Sequence, residues 1–231
     1  MKPFNLIQII SVLALVTLCK CAVAQTQSDA GAWFTFNVDC KLNNSFKAIL
    51  TQEFRLRENF TQPNLTYTDL GIEYGFNKNV KTSVVYRGIQ KYFYDTPVSF
   101  RNRIMWDVVL KHKFNNTTLQ YRSRLQAEVK NYYTSYGGKN PEWFWRNKFT
   151  AKQDLTKKID VYLALETRTQ ITDSRNIEYD GETHRLRYQG GIDVKLSRKN
   201  TLGMYYLIQQ EFKLPIIQNQ YIIGVEYTTS F

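Results

Sequence analysis

The residues best equipped for chemistry in this chain are arginines that recur at every second position. Arg55 and Arg57, Arg101 and Arg103, Arg122 and Arg124, and Arg185 and Arg187 form such pairs. Arg87, Arg146 with Lys148, and Arg168 extend the series, and Glu53, Glu128 and Glu166 keep the same phase as their nearest arginines. A guanidinium fork grips a carboxylate or phosphate through two parallel hydrogen bonds, so a surface lined by such a series has anion binding as its natural chemistry.

Catalytic chemistry is harder to assemble from these residues. Acyl transfer needs a nucleophile, a histidine and an orienting group in mutual reach. The two histidines are His112, between Lys111 and Lys113, and His184, beside the stretch 172–183. Neither lies in the His-x-Ser-Asn-Gly pattern of outer-membrane phospholipases, and the Asp and His motifs of barrel proteases are missing; a lipid hydrolase is the weakest of the readings, and no enzyme is expected. Cys40 and two separated histidines lack metal-ligand spacing, and neither a Walker loop nor a dinucleotide glycine motif occurs. No metal or cofactor is expected.

Alternation with period two requires strands to position these residues. From Leu119 to Lys130, one face carries Leu119, Tyr121, Ser123, Leu125, Ala127 and Val129, while the other is wholly polar. The stretches 158–171 and 184–196 repeat the pattern. It predicts strands at 33–42, 46–58, 65–76, 80–94, 99–114, 118–131, 142–153, 158–171, 184–196, 201–211 and 219–231. Short links rich in turn formers, such as Asn43 to Ser45, Asn77 to Asn79 and Ser197 to Asn200, alternate with generally longer ones at 59–64, 95–98, 132–141, 172–183 and 212–218. An up-and-down meander therefore has one trimmed end and one elaborated end, as bacterial outer-membrane barrels do.

Composition bounds the class. The 231 residues hold 31 Lys and Arg against 20 acidic residues, 16 Tyr and 14 Phe, with few Gly and Pro, which excludes disordered and collagen-like chains. Residues 1–24 read as a cleaved secretory signal: Lys2, an apolar run from Leu6 to Leu18, then Ala22-Val23-Ala24. Residues 25–231 then form one domain with Cys40 as its single thiol, so no disulfide framework is expected. Basic charge dispersed over alternate strand positions of an exported chain does not suit nucleic acid.

A soluble lipocalin-like barrel alternates in the same way with the opposite face outward. Long strands, loop asymmetry, the leader and aromatics near strand ends, Trp33, Trp143, Trp145, Tyr92, Tyr94, Tyr132, Tyr133 and Tyr136, favour lipid outside. In lipid the sheet must close, because an open edge leaves its N–H and C=O groups unsatisfied. The fold expected is all-β, a closed antiparallel up-and-down transmembrane barrel of about twelve strands, with ten as the alternative. Twelve requires 25–32 to supply a short extra strand.

The last strand places Tyr221, Ile223, Val225, Tyr227, Thr229 and Phe231 on one face. It resembles the C-terminal signal, with Tyr227 and the terminal Phe231, by which barrel-assembly machinery recognises its clients. Together with the Trp33 strand, the Asn-rich turn, Glu53, Arg55 and Arg57, and Asn219 to Val225, the chain resembles a Bacteroidota outer-membrane barrel family of unknown function, domain of unknown function 2490. A looser similarity is to oligogalacturonate-type porins, which pass acidic sugars. These resemblances imply a Gram-negative outer membrane, with its lipid and the assembly machinery as partners.

With apolar residues toward lipid, the lumen-lining set is Arg55, Arg57, Arg87, Arg101, Arg103, Arg122, Arg124, Arg146, Lys148, Arg168, Arg185 and Arg187, opposed by Glu53, Glu128 and Glu166 among others. Rings of Arg and Lys lower the barrier for anions. Two readings stay open: a small porin preferring acidic or phosphorylated solutes, or a non-conducting structural or binding barrel whose lumen is closed by Arg/Glu/Asp networks.

Overall fold

The computed structural model describes residues 26–94, 97–130, 141–172, 180–212 and 217–231. The leader, Tyr132, Tyr133, Tyr136 and most of the longest expected loops lie outside the described residues. Within them every regular element is a strand: β1 (Thr26–Lys41), β2 (Phe46–Arg57), β3 (Gln62–Gly75), β4 (Val80–Lys91), β5 (Ser99–Phe114), β6 (Thr117–Lys130), β7 (Glu142–Asp154), β8 (Ile159–Thr172), β9 (Thr183–Lys195), β10 (Asn200–Glu211) and β11 (Ile217–Ser230). The eleven form one closed barrel in sequence order. At 12 to 16 residues, each exceeds the roughly 9–11 that a tilted strand needs to cross hydrocarbon.

The hairpins owe their register to turn chemistry at one end. Asn43 Oδ1 accepts the backbone N–H groups of Ser45 and Phe46, both at 2.8 Å, and Asn77 Oδ1 accepts those of Asn79 and Val80 at 2.8 and 2.9 Å. Thr156 and Ser197 do the same with their hydroxyls in the β7–β8 and β9–β10 turns. The two-residue β5–β6 turn uses Asn115 at φ 49° instead. A short polar side chain that bonds its own backbone two residues on replaces the missing ladder and fixes where the chain reverses.

All consecutive strands pair antiparallel, as expected, but the barrel is closed by β1 and β11 running parallel. The count is therefore eleven, beside the expected twelve or ten. Residues 26–32 supply no separate strand; they lengthen β1 backward, so Thr26 pairs with Ile217. An even number is needed only if first and last strands oppose. Here both run toward the short-turn end, and the seam holds to the terminal residue: Phe231 N donates to Asp39 O at 2.9 Å and Lys41 N to Phe231 O at 3.0 Å.

The two faces are sharply different. Phe34, Leu70, Ile72, Ile104, Leu163 and Ile223 point outward and are between 47 % and 62 % exposed. Arg87, Asp107, Arg146 and Glu166 point inward and are buried. Apolar side chains outside and charged ones inside is the arrangement of a barrel sheathed in hydrocarbon and the inverse of a water-soluble one. Trp33 corrects one expectation. Because β1 begins at Thr26, Trp33 lies in mid-strand on the inner face, 7 % exposed, and not in an aromatic belt.

Candidate functional site

Strand register brings the arginines together in a way that spacing within one strand cannot. Arg124 on β6 pairs with Arg146 on β7, Arg146 with Arg168 on β8, and Arg168 with Arg185 on β9. Four consecutive strands thus carry arginine at one level of the inner wall. Asp107 on β5 stands opposite Arg124 and Glu211 on β10 opposite Arg185, so carboxylates cap the row at both ends. Strands lie about 4.8 Å apart, which makes the row about 14 Å long.

Two irregularities lie on the long-loop side of the row, outside the unbroken pairing that contains it. β8 shifts where Trp143 and Phe144 pair with Thr172 and Gln170, and β9 shifts between Arg168 and Thr169, where His184 is the extra residue. A bulge re-aims the side chains beyond it. The second bulge follows the Arg168 and Arg185 pair directly and leaves His184 against the Phe144 ring, centroids 5.8 Å apart. His112 lies on the outward face of β5, its ring tilted against Phe114 with centroids 4.2 Å apart.

The carboxylates are too few for the cations they face. Glu166 alone receives Arg146 at 2.5 Å, Arg122 at 2.6 Å and Arg187 at 3.2 Å. Glu128 receives Arg103 at 2.5 Å and Arg101 at 3.3 Å. Asp107 holds Arg124 through two bonds of 2.6 Å, Asp69 holds Arg87 at 2.6 and 2.7 Å, and Glu211 holds Arg185 at 2.5 Å. Arg55 pairs with Glu53 of its own strand, and Arg57, at the rim, with Glu58 at 3.6 Å. Lys148 reaches an amide, Gln189, at 3.0 Å. Arg168 sits 3.7 Å above the centroid of Phe144, with no carboxylate in ion-pair range among the described residues. Among the described residues, the Nε–H groups of Arg101, Arg122, Arg146, Arg168 and Arg185 find no acceptor.

Every arginine and acid expected in the lumen thus lies on its wall. Facing the arginine row is a feature the sequence reading missed, an apolar cluster of Trp33, Tyr205, Leu207 and Ile222 with Tyr162 packed on it. Arg55 covers the Trp33 ring at 3.6 Å, and Arg87 covers Tyr67 at 3.4 Å while the Tyr67 hydroxyl donates to Glu53 at 2.8 Å. Two inward glycines give the tyrosines room: a Cβ on Gly224 would meet the Tyr205 ring at 2.0 Å, and one on Gly191 the Tyr162 ring at 2.7 Å. Gly191 is therefore a seat for a ring.

The interior tapers from the long-loop end. A mouth of about 830 Å³ between the β1, β2 and β11 ends leads to a chamber of about 310 Å³, shared by Lys91, Arg185 and Glu211, and then to a waist of about 200 Å³. The waist is bounded by the arginine row, Lys148 and Glu166 on one side and by Trp33, Tyr205 and Leu207 on the other. Beyond it, toward the short turns, lysine replaces arginine and is matched by acids: Lys47 with Asp39 at 2.9 Å, Lys81 with Glu73 at 2.8 Å, Lys152 with Asp193 at 2.7 Å and Lys195 with Asp160 at 2.8 Å. Arg and Lys are thus sorted by depth.

A family model described as "Protein of unknown function (DUF2490)" matches residues 30–222, from within β1 to within β11. No curated protein matches the chain.

Proposed function

The chain belongs to the DUF2490 family, proteins of unknown function, and from that premise and its closed barrel we propose that it resides in the outer membrane of a Gram-negative bacterium and passes small acidic or phosphorylated solutes. The observation that carries the reading is the under-neutralised waist, where Glu166 serves three arginines and Arg168 has no carboxylate in ion-pair range among the described residues. A cationic lining in a low-dielectric wall lowers the entry barrier for anions and raises it for cations. The taper from the long-loop end supports entry from that side, and the acid-matched lysines beyond the waist support a less adhesive exit. Export by a cleaved leader and insertion by the barrel-assembly machinery, with Tyr227 and Phe231 as its signal, belong to the same proposal, as does a role without catalysis.

Planar-bilayer recording on purified, folded protein tests it. Discrete conductance steps with a reversal potential shifted toward the anion in a potassium chloride gradient are expected; cation preference would sink the porin reading. A second reading is favoured by the width of the waist. About 200 Å³ is the share of roughly six or seven waters in the liquid, and ion pairs such as Arg122 to Glu166 reach past an intervening strand. A barrel that inserts yet carries no current would support a closed, ligand-binding interior.

A further inference from the structure

Like charges placed directly opposite on neighbouring strands destabilise a sheet, yet Arg124, Arg146, Arg168 and Arg185 occupy one level on four strands in succession. The cost falls on the middle of the row. Arg124 and Arg185 are drawn outward by Asp107 and Glu211, and Arg146 by Glu166 and by Gln126 at 3.3 Å. Arg168 rests on the face of Phe144, with Arg103, Arg146 and Arg185 opposing its charge and no carboxylate in ion-pair range among the described residues. Among the described residues, Arg146, Arg168 and Arg185 of the row each retain a buried Nε–H with no acceptor, and such donors are costly unless something fills them. The row borders both the chamber and the waist, so a solute descending the funnel meets it.

We infer that this row is a specific site for a small solute carrying at least two negative charges on phosphoryl or carboxylate groups, centred on Arg168 and shared with Arg146 and Arg185. This deepens the anion-preferring reading and rests on the same wall of cations. A multivalent oxyanion bridges adjacent guanidinium forks, converts their repulsion into paired contacts and supplies acceptors to the orphaned donors. A monovalent ion such as chloride cannot span two forks. Arginine, with its planar double donor, fits this holding step, whereas the lysines beyond the waist offer point charges already matched by acids.

Inorganic pyrophosphate is the probe, titrated calorimetrically into full-length folded protein in detergent at low salt. Saturable binding at one site is expected, weakened at least tenfold by Arg168→Gln, less by Arg168→Lys, and unchanged by Lys78→Gln in a short turn. Without pyrophosphate, Arg168→Gln should unfold at a higher temperature than the parent, and only the parent should gain thermal stability when pyrophosphate is added. Parent protein that binds no pyrophosphate, or an Arg168→Gln variant that binds as the parent does, overturns the site. Should Arg168→Gln fail to give the heat-modifiable band of a folded barrel, Arg168→Lys carries the test, and parental affinity there overturns it. Recording on the same preparation separates the two proposals. Anion-preferring current without pyrophosphate binding removes the site alone, and binding in a silent barrel removes conduction alone.

Discussion

Glu166 is the residue on which most of the interior turns. Three arginines from β6, β7 and β9 converge on it, so Glu166→Gln leaves three buried cations short of an acceptor. Removing one partner of a buried ion pair costs about 3–5 kcal/mol, and the variant should lose its heat-modifiable band at markedly lower temperature than the parent while any current becomes still more anion-preferring. Gly224→Ala tests the opposite wall, because its Cβ would press into the Tyr205 ring. Overpacking of this kind costs about 1–3 kcal/mol; thermal unfolding should show that loss, and Tyr205→Ala in the same chain should recover most of it. The identity of the lumen residues could be read from alternation alone, since parity assigns each Arg and Glu to a face. The convergence on Glu166 could not, because Arg122 reaches it past β7, and which arginine rests beside which acid depends on register and side-chain length.

At the level of elements, turn chemistry and strand boundaries followed closely from local sequence, since an Asx or hydroxyl turn is decided by three or four adjacent residues. Asn77→Ala removes the single side-chain oxygen that accepts two backbone N–H groups in the β3–β4 turn. A loss of about 1 kcal/mol is expected in equilibrium unfolding, with the fold retained. The arginine row was illegible for the opposite reason. Its alignment needs the registers of β6 with β7 and of β8 with β9, pairs that no tight turn joins, and a one-residue change of register carries a side chain to the other face. The bulge at His184 turns that ring inward, where simple alternation from Leu186 would place it on the outer face. Trp33 was misread because the polar start of β1, Gln27 to Asp29, gives no apolar period and hides how far back the strand extends.

For the molecule as a whole, the outward face makes a demand that a water-soluble barrel would not. Ile104→Arg would set a cation in mid-wall among Phe100, Trp106 and Val84, which are all exposed. A charge at that depth costs about 2–4 kcal/mol in hydrocarbon; insertion into lipid vesicles should fall accordingly, while Lys78→Arg in a turn should insert as the parent does. Closure itself was inferable from the physics of unsatisfied edges, but its polarity was not, because pairing between the first and last strands leaves no trace in either one alone. That single parallel seam has a topographical corollary. The start of β1 and Phe231 lie at opposite ends of the barrel, so on the membrane proposal a protease site engineered ahead of Thr26 and another within Asn43 to Ser45 should be cut from different sides of a sealed vesicle. Unlike a hairpin-closed cylinder, this one has a head and a tail, and no short peptide could tie its ends together.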